Sequence, residues 1–158
     1  LTIDEKGPIC TCGNRGCLEA LSGGGAIALQ AKNAIKEKKN TQLREISTKN
    51  ISAKDVVFAA QRGDLLAQQI MEEAGEHLGV ALAGLINIFN PDMIIVGGGV
   101  AQMGDILLEP IRKTVKERSL LSATTNVRIT TALLGRRSSS MGAVAQALSI
   151  AIHMIAEK

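Results

Sequence analysis

The sequence predicts an α/β fold, and three observations carry that prediction. Met93-Ile94-Ile95-Val96 is a short apolar run between Pro91 and Gly97-Gly98-Gly99, the pattern of a strand buried on both faces in a parallel sheet. Apolar stripes at helical spacing flank that run on both sides. A second β-rich run, Asn126 to Leu134 (NVRITTALL), precedes a last helical stripe. Helix, strand, helix, strand, helix is the order that layers helices on a sheet. Two strands are few for a complete sheet, and Leu1 stands where an initiator methionine would. The chain is therefore expected to be part of something longer.

Leu1 to Leu18 reads as loop, with a turn at Gly7-Pro8. Glu19 to Lys39 reads as one helix whose basic end (Lys32, Lys36, Lys38, Lys39) is a solvated face. Ser52-Ala53-Lys54-Asp55 has the form of a capping box that opens a short helix closed by Gly63. Asp64 caps a long helix with Leu66, Ile70, Ala74, Leu78, Ala81 or Leu82, Leu85 and Phe89 on one stripe, stopped by Asn90-Pro91. Gly79, Ala81, Ala83 and Gly84 would let another backbone approach it. The next helix has Ile106, Leu107, Ile111 and Val115 on one face, with Pro110 either starting a second segment or kinking the first. Met141, Val144, Leu148, Ile152 and Ile155 form the final stripe.

Composition excludes several function classes. The chain has 158 residues, 46% apolar, with neither Trp nor Tyr and a net charge of +3. So few aromatics leave no stacking platform for single-stranded nucleic acid. The charge is too small for a nucleic-acid or membrane footprint. No signal peptide is visible in LTIDEKGP. The apolar run Leu78 to Phe89 is shorter than the roughly 18 residues a membrane span needs, so no membrane is expected.

All three cysteines lie in CTCGNRGCLE, at Cys10, Cys12 and Cys17. Three thiolates around Gly13 and Gly16 can turn back on one ion, because glycine permits the positive-φ turns of such a knuckle. Structural zinc takes four ligands, so the trio leaves one place open. The only histidines, His77 and His153, fall on predicted helices far along the chain. Cys-x-Cys is not the Cys-x-x-Cys of thioredoxin-like redox sites. Three idle thiols are the bland alternative, but the glycine-rich spacing serves ligation better than packing. Glu19, just past the trio at a helix N-terminus, is either a held carboxylate or an ordinary exposed first-turn glutamate. Gly97-Gly98-Gly99 after a strand suits a tight turn, or a ligand at backbone amides. Arg136 and Arg137 are either surface arginines or phosphate contacts.

GPICTCGNRGCLEA closely resembles the zinc-binding signature of the ROK family (repressors, open reading frames and kinases), Cys-x-Cys-Gly-x-x-Gly-Cys-x-Glu, at every fixed position. ISAKDVVFAAQRGD, LINIFNPDMIIVGGGV and LLGRRSSSMGAVAQAL resemble the family's later blocks in the same order. The resemblance implies an actin-like, ribonuclease-H-like ATPase fold. Residues 1–158 would be most of the second lobe: a zinc-knot and sugar-contact segment at 1–19, and an α/β lobe at 20–158. The first lobe would lie outside the chain. It also implies structural Zn²⁺ on Cys10, Cys12 and Cys17, with a fourth ligand from an upstream Glu-x-Gly-His block, and sugar contact through Glu19. Gly97, Gly98 and Gly99 would face the adenosine side of an ATP site.

The catalytic base and the Asp-x-Gly-Gly-Thr loop that handles phosphate and Mg²⁺ belong to the first lobe, so no catalytic residue is expected here and this chain alone should not phosphorylate sugar. Two activities follow for the intact protein. The first is a cytoplasmic ATP-dependent kinase acting on a hexose or amino-hexose. The second is a sugar-sensing repressor with an upstream DNA-binding helix-turn-helix. The intact triple glycine favours the kinase, while the compact VKERSLLSATTNVRITT connection resembles the repressors. The family also forms dimers or tetramers, so self-association is expected.

Overall fold

The computed structural model describes residues 1–46, 48, 50–98, 104–125 and 127–156. Its elements run α1 (Leu18–Ser22), α2 (Gly24–Lys36), α3 (Ala53–Gln61), α4 (Leu65–Phe89), β1 (Met93–Val96), α5 (Asp105–Arg118), α6 (Leu121–Thr124), β2 (Arg128–Thr131) and α7 (Ser138–Ala156). Short 3₁₀ turns occupy Gln42–Glu45 and Gly135–Arg137. The strands pair in parallel, Ile94 against Ile129 and Val96 against Thr131, with α5 and α6 in the connection between them. That is one βαβ unit, the crossover a parallel pair requires.

Local signals shape the helix ends. The Asp55 carboxylate accepts from both the amide (2.8 Å) and the hydroxyl (2.7 Å) of Ser52, which holds its pKa below the ordinary value and opens α3. Gly63 (φ +87°) turns the chain after α3, and Asp64 accepts from the Ala67 amide at 2.9 Å to open α4. Asn90, in the left-handed region, ends α4 just before Pro91.

The core lies between α2, α3, α4 and α5, around Ile27, Leu43, Val56, Met71, Ile86, Leu107 and Ile111. Each such side chain contributes roughly 1.5–3 kcal/mol on burial. The closest approach is between α4 and α5. A Cβ on Gly79 would lie 2.5 Å from the Thr114 Cβ, and one on Gly75 would lie 2.7 Å from the Pro110 Cβ. Gly84 faces open space. Gly79→Ala is expected to destabilise by about 1–2 kcal/mol, overpacking outweighing the helix propensity gained. Gly84→Ala should stabilise by about 0.5–1 kcal/mol. Urea unfolding of the two variants checks the contrast, and equal midpoints would contradict this packing.

The structure corrects three expectations and narrows a fourth. Glu19 to Lys39 is two helices, not one. Gly23 is extended (φ −66°, ψ 158°), its amide bonds the Glu19 carbonyl at 2.9 Å, and a Cβ there would meet that oxygen at 2.5 Å. The run of three glycines supplies too little helix propensity to carry the ladder through. Pro110 does not start a second segment: it lies inside the single helix α5, and its ring meets the notch at Gly75. β1 is covered on one face only: Ile94 and Val96 pack against the core, whereas Met93 and Ile95 are 40% and 61% exposed. Helices of this chain cover one side of the sheet and nothing described covers the other. Finally, the α7 stripe is not buried. Met141, Val144, Leu148, Ile152 and Ile155 are all exposed, and α7 has no buried residue. By length and composition alone, this 19-residue helix, unlike the run Leu78 to Phe89, is apolar enough to cross a membrane.

Candidate functional site

The segment before α1 is folded by its own backbone. Thr2 bridges Cys17 and Ile9 bridges Arg15, both antiparallel. The Cys10 amide donates to the Asn14 carbonyl (2.7 Å), and the Gly13 amide donates back to the Cys10 carbonyl (3.0 Å). Gly13 stands at φ +88° and Gly16 at φ +66°. Position 16 also lacks room, since a Cβ would fall 1.4 Å from the Asp4 carbonyl oxygen. The Gly16 carbonyl accepts from Ile3 (2.9 Å), its amide donates to Pro8 (2.8 Å), and the Arg15 guanidinium donates to the Gly7 carbonyl (3.0 Å). Two turns that demand glycine therefore fold the chain back on itself.

That path brings the three predicted ligands together. The Sγ atoms of Cys10, Cys12 and Cys17 all lie within 4.8 Å of one another, with Cys12 and Cys17 3.5 Å apart. Thiolates about 2.3 Å from a tetrahedral ion stand roughly 3.8 Å from each other, so the trio fits one metal. Cys10 and Cys17 are buried and Cys12 is exposed. The Cys12 thiol is held below its ordinary pKa, first by the Asn14 amide and then by the Cys17 and Cys10 thiols. Cys17 is pushed up, first by its bond to Cys12 and then by burial. A divalent cation held by the trio would favour the thiolate form of its ligands. Among the described residues neither histidine joins the cluster. His77 lies on α4 with its Nδ1 buried and unpartnered, and His153 is exposed on α7.

Glu19 sits in the first turn of α1, two residues beyond the last cysteine. It lines a groove of about 270 Å³ together with Cys10, Thr11, Ile9 and Leu29, and Gly23, Gly24 and Gly25 are part of the same lining. Glu19 is the only charged side chain of that lining. The glycine run therefore has a role that the sequence did not assign: Gly23 ends α1, and the run gives the groove a stretch of lining without side chains. Gly97 and Gly98 lie at the C-terminal end of β1, exposed, and do not line this groove. Gly98 needs glycine for its φ of +88° rather than for space, as nothing lies within 4 Å of a Cβ there. Gly99 falls outside the described residues, so the triple glycine is described only in part. Arg137 is exposed in the turn before α7, where the Ser138 hydroxyl bonds the Gly135 carbonyl at 2.7 Å.

The chain is similar to several known proteins. The profile of the ROK family matches residues 1–150. The xylose repressor of Caldicellulosiruptor bescii is 31% identical over 151 residues, covering 94% of this chain and 37% of the repressor. The glucokinase of Halalkalibacterium halodurans is 35% identical over 142 residues, covering 89% of this chain and 43% of the enzyme. A crystal structure of a ROK family glucokinase from Streptomyces griseus, in complex with glucose and AMPPNP, superposes with a TM-score of 0.75 at 31% identity, covering 87% of this chain and 46% of that one. The fold is thus of the actin-like ATPase class. The chain belongs to the ROK family, and it spans less than half the length of each of these relatives.

Proposed function

We propose that this chain is most of the C-terminal lobe of an ATP-dependent sugar kinase acting on a hexose or amino-hexose. One observation carries the proposal: Cys10, one of the three clustered thiols, and Glu19 line a single groove. In this reading Cys10, Cys12 and Cys17 hold a structural Zn²⁺, whose chemistry here is to cross-link the loop. A braced loop holds α1, and α1 holds the Glu19 carboxylate where sugar hydroxyls can donate to it. Gly97 to Gly99 would admit the nucleotide to backbone amides. The partner lobe, outside this chain, would bring the catalytic base, the phosphate loop and Mg²⁺, and would cover α7 and the bare face of β1. The intact protein would be cytoplasmic and would form dimers or tetramers.

The relatives include a repressor as well as kinases, and the compact connection from α5 to β2 favours that second reading. In it, sugar at the same groove shifts a domain arrangement on DNA instead of entering a reaction.

A coupled assay of the full-length protein with ATP and a panel of sugars separates the two. Turnover with a hexose or amino-hexose is expected. No turnover with any of them, together with sugar-sensitive DNA binding, would establish the repressor. Metal analysis of the full-length protein is expected to give about one zinc per chain, as a closed structural site requires. No metal, with all three thiols titrating freely in native buffer, would remove zinc from the site.

A further inference from the structure

We infer that Cys12 is an oxidative modification site for hydrogen peroxide, resolved by Cys17, and that its oxidation releases Glu19 from its sugar-binding position. The modification rests on the thiol geometry alone, and its effect on sugar rests on the function proposed above.

The three thiols differ in access. Cys10 and Cys17 are 7% and 6% exposed, whereas Cys12 stands in solvent. A small oxidant therefore meets Cys12 first. Cys17 is its 3.5 Å neighbour, in position to attack an oxidised Cys12. The tether between them, Gly13-Asn14-Arg15-Gly16, has two glycines and spans enough chain to close a disulfide. The single residue between Cys10 and Cys12 makes that alternative pairing more strained.

The chemistry balances. The Cys12 thiol gives up its proton and attacks one oxygen of hydrogen peroxide, the O–O bond breaks, and Cys12 becomes a sulfenic acid while the departing hydroxide takes up that proton and leaves as water. The Cys17 thiolate then attacks the Cys12 sulfur, the S–O bond breaks, and a second water leaves. Two thiols lose two electrons and two protons, and the peroxide becomes two waters. A metal held by both thiolates loses two ligands at once. This is not a thioredoxin-like exchange, since its oxidant is a peroxide and its partners are spaced as metal ligands.

The structure links this event to the groove. Cys17 directly precedes α1, its carbonyl accepts the Leu21 amide (3.2 Å), and it bridges Thr2. Gly7 packs so closely on Gly16 that a Cβ at position 7 would lie 2.8 Å from the Gly16 Cα. Drawing Cys17 toward Cys12 must shift this contact and the start of α1, and Glu19 lies two residues further on. The oxidised protein should bind sugar about tenfold more weakly, a loss typical when support behind a ligating group is removed.

The test uses full-length protein treated with hydrogen peroxide. Peptide mapping should find a Cys12–Cys17 disulfide, a chromogenic chelator should detect metal released in step with it, and calorimetry should show the weaker sugar affinity restored by a phosphine reductant. Cys17→Ser should accumulate a Cys12 sulfenic acid trapped by dimedone, and Cys12→Ser should leave Cys10 and Cys17 reduced. Thiols that survive peroxide doses which oxidise glutathione, or a disulfide that omits Cys12, would overturn the modification site. A Cys12–Cys17 disulfide with unchanged sugar affinity would overturn the coupling to Glu19. Protein that contains no metal but still forms the disulfide keeps the modification and removes only the zinc assignment.

Discussion

Glu19→Ala in the full-length protein is expected to weaken sugar binding about 100-fold, with zinc content unchanged. A carboxylate that accepts hydrogen bonds from neutral hydroxyls contributes roughly 1.5–3 kcal/mol per bond. Among the described residues Glu19 takes part in no ion pair, so its charge is available to a ligand. Glu19→Gln keeps the shape and one acceptor oxygen, and should cost about tenfold through loss of the charge-assisted bond. Neither change should move the unfolding midpoint much, because exposed first-turn glutamates are worth only about 0.3–1 kcal/mol to a helix. Calorimetric sugar affinity, metal analysis and thermal melts on the same preparations separate these effects. If both variants bind sugar like the parent, Glu19 is an ordinary surface glutamate and the groove beside the thiols is not the sugar site. In a kinase, the same loss should appear in kcat/KM.

What was legible in the sequence is what neighbouring residues settle among themselves. The Ser52–Asp55 box, the Asp64 cap and the Asn90-Pro91 stop are contacts between residues a few positions apart, so residue type and spacing suffice to locate them. The thiol trio was legible for the same reason, since Cys10 to Cys17 is one loop whose turns are specified by Gly13 and Gly16. What was hidden depends on distant partners. Four small residues on α4 looked alike, yet Gly79 packs on Thr114 and Gly84 faces solvent; Gly75, which takes Pro110, was not singled out. The apolar run of β1 promised two covered faces, but that outcome depends on layers that the run itself does not encode. The stripe of α7 has no cover among the described residues, and the sequence of the stripe does not say what would cover it.

The largest effect on stability is expected at Asp64, whose role reaches beyond the cap that sequence spacing reveals. Its buried carboxylate accepts from the Ala67 amide (2.9 Å) at the start of α4, and also from the Thr41 hydroxyl (2.8 Å) and the Gln42 amide (2.6 Å) of the segment before α3. One side chain thus latches the 3₁₀ turn, and with it Leu43, onto the core. Burial pushes the Asp64 pKa up, but the Ala67 amide, the Thr41 hydroxyl and the Gln42 and Leu66 amides together outweigh it, leaving the pKa below the ordinary value. Asp64→Ala strands these donors and should destabilise by about 3 kcal/mol, summing a lost cap and buried charge-assisted bonds. Asp64→Asn can still accept at one oxygen, but it points an NH₂ at remaining donors, and should cost about half as much. The sign of the pH dependence follows from the depressed folded pKa. The contribution is fully present above the unfolded value of about 3.9 and is lost as pH falls through the lower folded value. Urea unfolding of parent and Asp64→Asn should therefore differ by a constant amount at neutral pH, with the gap closing below about pH 4. A gap that is already zero at pH 7, or one that widens in acid, would show that Asp64 is not the charged latch between the two segments.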